Sequence, residues 1–433
     1  MITDRLYEAF LASRTVSTDS RRITPGCLFF ALRGENFDGN AFVPEALRQG
    51  ASLCVTSDRR YAADRRCIVV SDVTETLQAL ACEYRHHLAI PMVGITGTNG
   101  KTTTKELVHA VLGRRYLTSA TVGNLNNHLG VPLTLLSIPA DAEIAVIEMG
   151  ANHPCEIAML CGIADPNYGL ITNVGRAHLE GFGSMEGVVR TKTELYRHLT
   201  ARKGLAFVNS DNRLLMQEVH SQCPTLTTLT YGTSEEATVH GSHVADTPFM
   251  KFYFEVKDEV YTVQSRLLGA YNFDNCMAAV AIGLHFGVNP FTIKEAIEAY
   301  QPSNQRSEWK QTAHNKLYMD CYNANPSSMA AAITSFHALP SEHKMAIVGG
   351  MHELGTAEYE EHKRLVDMLD SCHLEQCLLV GPEFKGINLP HSMRFFSDTA
   401  AVRDWLTDHP ISGTTILVKG SNTNRLWTLE ELL

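Results

Sequence analysis

Residues 94–106 read Gly-Ile-Thr-Gly-Thr-Asn-Gly-Lys-Thr-Thr-Thr-Lys-Glu. Met92, Val93 and Ile95 make an apolar strand entering this stretch, and Leu107, Val108, Val111 and Leu112 fall on one face of a helix leaving it. Gly97 and Gly100 let the backbone curl so that successive N–H groups point inward. Lys101 adds a cation, and Thr102 adds a hydroxyl suited to Mg²⁺. With the positive end of the helix dipole, the turn forms a cradle for a nucleoside triphosphate. In the general phosphate-loop pattern the outer glycine would fall on Ile95, so only the shorter core Thr-Gly-Thr-Asn-Gly-Lys-Thr is kept.

From this unit the rest of the chain falls into three parts. Residues 1–90 alternate short apolar runs (27–32, 52–56, 67–70) with helical stretches such as 74–88, enough for a small α/β domain. Residues 91–305 carry the cradle and further strand-like runs at 145–149, 168–173 and 205–209, each followed by a loop and a helical pattern. That order predicts a parallel sheet with crossover helices. Within this part, 225–267 is rich in β alternation (251–256, 260–267) and predicts an antiparallel hairpin added to the sheet. Residues 306–433 start a new series, with strands at 317–321, 345–348, 377–380 and 415–418 alternating with helices near 327–338, 359–369 and 400–406. This is a second doubly wound sheet without a GxGxxG turn. The fold class is α/β, in three domains.

The 433 residues hold 37 basic against 47 acidic side chains, a formal charge of −10, which argues against nucleic-acid or membrane-surface binding. Eleven cysteines without a CxxC pair predict reduced thiols. No run is long enough to span a membrane and the first residues carry no secretory pattern, so a soluble cytoplasmic protein is expected.

Glu148 ends an expected strand and should face the cradle, since ligands gather beyond the carboxyl ends of parallel strands; Mg²⁺ coordination is its natural role. His178 follows the next strand. Lys192, on an expected helix 186–199, reads by itself as a surface lysine. Asn272 and Asn275 could meet an adenine edge or cap a turn. Arg306 lies near the second domain junction, and Asp320, Tyr322, Asn323 and Asn325 follow a strand end, where polar groups suit ribose and phosphate.

These motifs together resemble the Mur ligases, and within them the D-alanyl-D-alanine-adding branch, over essentially the whole chain. The resemblance is carried by Thr-Asp-Ser-Arg at 18–21, Phe-Asp-Gly-Asn at 37–40, the cradle with Thr-Lys-Glu at 104–106 and Gly-Asn-Leu-Asn-Asn-His-Leu-Gly-Val-Pro at 123–132. It continues in Glu-Met-Gly-Ala-Asn-His at 148–153, Ala-His-Leu-Glu-Gly-Phe-Gly at 177–183, Tyr-Asn-Ala-Asn-Pro-Ser-Ser-Met at 322–329, Glu-Leu-Gly at 353–355 and Val-Lys-Gly-Ser at 418–421. The resemblance implies a domain for the UDP-sugar, a central ATPase domain, and a C-terminal Rossmann-like domain that binds the incoming dipeptide and completes the ATP site. It implies ATP-dependent amide formation between UDP-N-acetylmuramoyl-tripeptide and D-alanyl-D-alanine in peptidoglycan synthesis, by a monomer.

By the same resemblance Gly97, Thr98, Asn99, Gly100, Lys101, Thr102, Thr103, Asn275, Arg306 and Asp320 contact ATP. Thr102 and Glu148 hold one Mg²⁺. His178 holds a second, and Lys192 matches a lysine carbamylated by CO₂, which turns an awkward ammonium into an anion. Lys101, Glu148, His178 and Lys192 form the implied catalytic set. Ser20, Arg21, Asn126, Asn127, Tyr322, Asn323 and Asn325 fall where substrate is held.

The chain departs from the family pattern at four places: Tyr271 where many relatives have histidine, Asn40 for a frequent histidine, His352 for an apolar residue, and Asn422 for arginine. Tyr271 is still expected to stack near adenine. Another amino-acid-adding ligase of the superfamily, diamino-acid-adding or folylpolyglutamate-like, is the alternative enzyme; the Asp-Asn-Pro-Arg run expected of the former is absent. A non-catalytic nucleotide-binding regulator would have lost the metal set, which is present here.

Overall fold

The computed structural model describes residues 4–34, 36–246, 248–302 and 305–433. The cradle strand, Met92–Thr96, is buried along its whole length. Successive side chains point to opposite faces, and the two faces belong to different cores. Met92, Ala145, Ile147, Ile171 and Val208 pack on one side; Val93, Ile95, Ile144, Val146, Leu170 and Phe207 pack on the other. This is why the strands read as continuous apolar runs rather than as alternation. The helix Lys101–Leu112 lays the predicted face, Leu107, Val108, Val111 and Leu112, into the second core.

In spatial order the central sheet runs Glu259–Leu268, Phe249–Val256, Val239–Asp246, Thr227–Gly232, Leu205–Asn209, Tyr168–Ile171, Met92–Thr96, Ile144–Glu148 and Thr118–Ala120. The expected hairpin is therefore three antiparallel strands, and it is no separate appendage. Val239–Asp246 pairs in parallel with Thr227–Gly232, so the meander continues the main sheet. Two helices that the sequence pattern did not announce, Asn272–His285 and Pro290–Ala299, follow it.

The expected helix over 186–199 is broken into Met185–Lys192 and Glu194–Arg202. Thr193 causes the break. Its hydroxyl donates to the carbonyls of Val189 (2.9 Å) and Arg190 (3.2 Å), competing with the helical ladder. Lys192 thus sits at a helix end, next to the bend.

Four parallel strands, Val16–Ser17, Leu28–Phe30, Leu53–Thr56 and Cys67–Val69, form the first sheet. Its helix Val73–His87 is shared with the central region: Tyr84 donates to the Ile138 carbonyl, and Arg85 donates to the Ala164 and Asp165 carbonyls. The last sheet runs Glu308–Gln311, Lys316–Asp320, Thr415–Lys419, Lys344–Gly349, Gln376–Val380 and Met393–Phe396, parallel except for its first pair. All eleven cysteines are free thiols. Among the described residues no helix is long and apolar enough to cross a membrane.

Candidate active site

A cavity of about 530 Å³ opens where the carboxyl ends of Met92–Thr96 and Ile144–Glu148 face the last sheet. Gly97 and Gly100 shape the turn that enters it, and both have positive φ, 144° and 79°. A Cβ on Gly97 would lie 2.0 Å from Thr172 Oγ1, and one on Gly100 would lie 2.5 Å from Asn275 Oδ1, so neither position admits a side chain. Asn173 holds the turn in shape. Its carbonyl accepts from Thr98 N (2.9 Å), its Oδ1 accepts from Asn99 N (3.0 Å), and its Nδ2 donates to the Asn99 carbonyl (3.1 Å). Lys101 curls back, its Nζ donating to the carbonyls of Gly97 (2.7 Å) and Thr98 (3.0 Å). Burial pushes its ammonium below the ordinary lysine value, and the Glu148 carboxylate opposes that shift.

Glu148 is buried at the end of its strand. Its Oε2 accepts from Thr102 Oγ1 (2.9 Å) and its Oε1 accepts from Asn126 Nδ2 (2.7 Å). A hydroxyl and a carboxylate side by side are hard oxygen donors of the kind Mg²⁺ prefers. Asn127 lines the cavity while its Oδ1 accepts from Leu129 N (3.1 Å) and Gly130 N (2.9 Å) at the entry to the helix Gly130–Leu136. Among the described residues no three His, Cys, Asp or Glu side chains cluster as a ready-made cation site.

His178 lines the cavity with φ of 50°, and its Nδ1 meets Glu353 Oε2 from the last domain. Burial holds the imidazole below its usual pKa, countered by Glu353, so a neutral ring with a lone pair is favoured. Lys192 does not line the cavity. It is buried, its Nζ 5.7 Å from the Phe182 ring centroid, and its charge acts on His178. Burial first, then repulsion by Lys101, brings its pKa down to about 7, so the free amine that carbamylation needs is populated near neutrality.

The other wall carries Asn272, Asn275, Tyr271, Arg306, Asp320, Tyr322 and Asn323. Asn272 and Asn275 lie in the first turn of their helix. Asn275 donates to Asn272 Oδ1 (2.8 Å) and accepts from Thr104 Oγ1 (3.0 Å), leaving one donor and one lone pair of its amide. Arg306 stacks on Tyr322 with Cζ 3.7 Å from the ring centroid, and its buried Nε has no partner among the described residues. Asn325 caps the helix Pro326–Ala338 and reaches across the cleft to Asn99 Oδ1 (2.8 Å).

Thus the cavity collects Thr98 to Thr103, Asn126, Asn127, Glu148, His178, Asn275, Arg306, Asp320, Tyr322 and Asn323. Gly97, Asn325 and Lys192 are not among its lining residues. Ser20 and Arg21 lie apart, on a short helical turn of the first domain, with Arg21 paired to Asp19 (2.8 Å). Two residues were given no role from sequence. Asn173 stood within the quoted strand end, and Lys419 within Val-Lys-Gly-Ser. Lys419 is fully buried and donates to Asp320 Oδ2 (2.6 Å) and the Asn323 carbonyl (3.3 Å), fixing the polar strand end.

Models of known protein families cover most of the chain. Residues 13–85 match the model of the Mur ligase family catalytic domain, 95–283 the Mur ligase middle domain, and 305–422 the Mur ligase glutamate ligase domain. A UDP-N-acetylmuramoyl-tripeptide–D-alanyl-D-alanine ligase of Bacillus subtilis is 37% identical over 80% of this chain and 76% of its own. The crystal structure of MurF from Acinetobacter baumannii superposes with a TM-score of 0.87 at 30% identity, covering 96% of this chain and 92% of that one. MurF ligase from Thermotoga maritima, in complex with ADP, gives 0.85 at 29% identity, covering 98% and 97%. With family models laid end to end over three sheets and a phosphate cradle at their junction, the chain belongs to the Mur ligase family.

Proposed function

We propose that the chain is the ATP-dependent ligase that joins D-alanyl-D-alanine to UDP-N-acetylmuramoyl-tripeptide in peptidoglycan precursor synthesis. The single observation that carries this reading is the Thr102–Glu148 pair facing the glycine cradle and Lys101 at the junction with the last sheet. The tripeptide carboxylate attacks the γ-phosphorus of ATP, forming an acyl phosphate and releasing ADP. The dipeptide amine then attacks the acyl carbon, loses a proton, and expels phosphate from the tetrahedral intermediate. Lys101 and the inward N–H groups of the cradle offset charge on the transferred phosphoryl group.

Thr102 and Glu148 would hold one Mg²⁺, with His178 and a carbamate on Lys192 serving a second; bound Mg²⁺ supplies charge neutralisation of the phosphates. Once it had added CO₂ and lost a proton, Lys192 would supply an anion in place of its ammonium. Asn275, Arg306 and Asp320 contact the nucleotide. Ser20 and Arg21 grip the UDP-sugar, while Asn126, Asn127, Tyr322, Asn323 and Asn325 orient the peptide ends. The roles divide as UDP-sugar binding over 1–90, ATP chemistry over 91–305, and dipeptide binding over 306–433, in a cytoplasmic monomer.

The test is phosphate release from ATP with Mg²⁺ and UDP-N-acetylmuramoyl-tripeptide, with and without D-alanyl-D-alanine. Release that needs both acceptors, with the pentapeptide product by mass, supports the reading. Release with a single amino acid and not the dipeptide moves the chain to another step of the superfamily. No release in any combination overturns a ligase.

A further inference from the structure

Tyr271 is the residue of the nucleotide wall that is tied to everything behind it. It precedes the helix Asn272–His285 and lines the cavity beside Asn275 and Arg306. Its hydroxyl lies 2.8 Å from Ser307 Oγ and 2.5 Å from Tyr318 Oη. Ser307 belongs to the segment joining the central and last domains, where both Gln305 (φ 60°) and Ser307 (φ 51°) take left-handed backbone conformations that non-glycine residues seldom adopt. Tyr318 lies mid-strand in Lys316–Asp320, fully buried in the core of the last sheet. One oxygen at the cavity wall therefore touches both the connecting segment and the interior of the C-terminal domain.

The ring has little room to move independently. A Cβ on Gly269 would lie 2.6 Å from Tyr271 Cε1 and 2.5 Å from Ser335 Oγ, which sits on the helix Pro326–Ala338. The ring and the C-terminal helix thus both close in on the Gly269 backbone, and Leu268 just before it is buried among C-terminal core residues. Ser307 and Tyr318 also hydrogen-bond each other, so the three hydroxyls close into a cluster, and losing the Tyr271 hydroxyl removes the one member that comes from the central domain.

We propose that Tyr271 is a positioning residue through which a nucleotide in the cavity sets the orientation of the C-terminal domain. A base or ribose packed on the ring fixes the phenol; the phenol fixes Ser307 and Tyr318; and these fix the strand that ends at Asp320. The inference rests on the reading of the cavity as an ATP site.

The experiment compares the full-length wild type with Tyr271→Phe and Tyr318→Phe, which keep the rings and remove one hydroxyl from either side of the link. Three quantities are read: ADP affinity in Mg²⁺ by calorimetry, the change in radius of gyration on ADP binding by small-angle scattering, and kcat and KM for ATP. The expected result is a wild type that changes shape on binding ADP. Both variants should bind ADP within about twofold of wild type, lose that change, and fall about tenfold in kcat at unchanged KM, the equivalent of one buried hydrogen bond. Variants that keep the shape change and kcat overturn the proposal. So does a wild type whose shape ADP leaves unaltered. A Tyr271→Phe protein whose ADP affinity falls in step with kcat also overturns it, because the hydroxyl then merely contacts nucleotide. A wild type that couples ADP to shape without making product refutes the ligase reading alone and leaves the coupling standing.

Discussion

Two lysines of the candidate site, one half-buried at the cavity and one fully buried, are held for opposite ends. Lys101 donates to the Gly97 and Thr98 carbonyls, and Glu148 opposes the downward pull that burial puts on its pKa. Lys101→Ala should lower kcat/KM about a hundred- to thousandfold, the scale of losing one preorganised charge donor. Thermal melting should hardly move; an active variant would remove the cradle from the mechanism. Lys192 has its pKa lowered to about 7 from 10.5. Between those values the folded chain has shed a proton that the unfolded chain still binds, so stability rises with pH across that window. Only the free amine reacts with CO₂. Activation at fixed dissolved CO₂ should therefore grow as pH rises through about 7 and be missing in Lys192→Ala. Initial rates on either side of pH 7 check this, and an equal response at both would sink the carbamate.

At the level of elements, the helix Asn272–His285 carries a built-in liability. Burial, and then the Asp211 carboxylate, raise the Asp274 pKa to about 6 from 3.8, with Asn209 opposing. The folded chain keeps that proton at pH values where the unfolded chain has released it, so stability falls as pH rises from about 4 to 6 and the penalty persists above. Asp274→Asn should raise stability at pH 8 by about 1–3 kcal/mol and give no gain near pH 4. Denaturant titration at the two values measures it, and an equal gain at both would contradict the assignment. This same helix shows where sequence reading stops. It is buried on nearly all sides, from Phe273 to Gly283, so no polar face marks its period. The cradle helix was legible because its apolar face is one-sided. The strand Val239–Asp246 hid behind His240, Gly241, Ser242 and His243 and a register shift. In the site, the phosphate turn, Glu148 and the polar run after Asp320 were readable as local patterns. Asn173 and Lys419 were not, since each acts on a partner that only the folded chain brings near. The bend at Thr193 follows from a side-chain hydrogen bond that propensity does not encode.

Over the whole molecule the two junctions differ in kind. The first and central regions share one apolar core running from Leu6 and Phe10 through Leu77 and Tyr84 to Leu160 and Leu199. Arg85 clamps it, donating to the carbonyls of Leu88 (2.7 Å), Ala164 (2.8 Å) and Asp165 (2.9 Å). Arg85→Ala should cost about 3 kcal/mol by stranding buried carbonyls. Arg85→Lys should recover only part, because an ammonium lacks the planar fork; urea unfolding distinguishes the two. Across the cleft the last domain is held mainly by polar contacts: Asn325 to Asn99, Arg176 N to Ser327 Oγ (3.1 Å), Arg176 to Glu361 (3.0 Å), and His178 with Glu353. Apart from Leu268, with Phe249 packed beside it, its cores are its own. A lineage that recombined 306–433 with a paralogous copy would inherit a folded module in one crossover and, on the proposed division of roles, a new incoming amine with it, whereas a crossover near residue 90 would cut through a shared interior. Divergence of substrate range in such a chain is therefore cheapest at its carboxyl-terminal third.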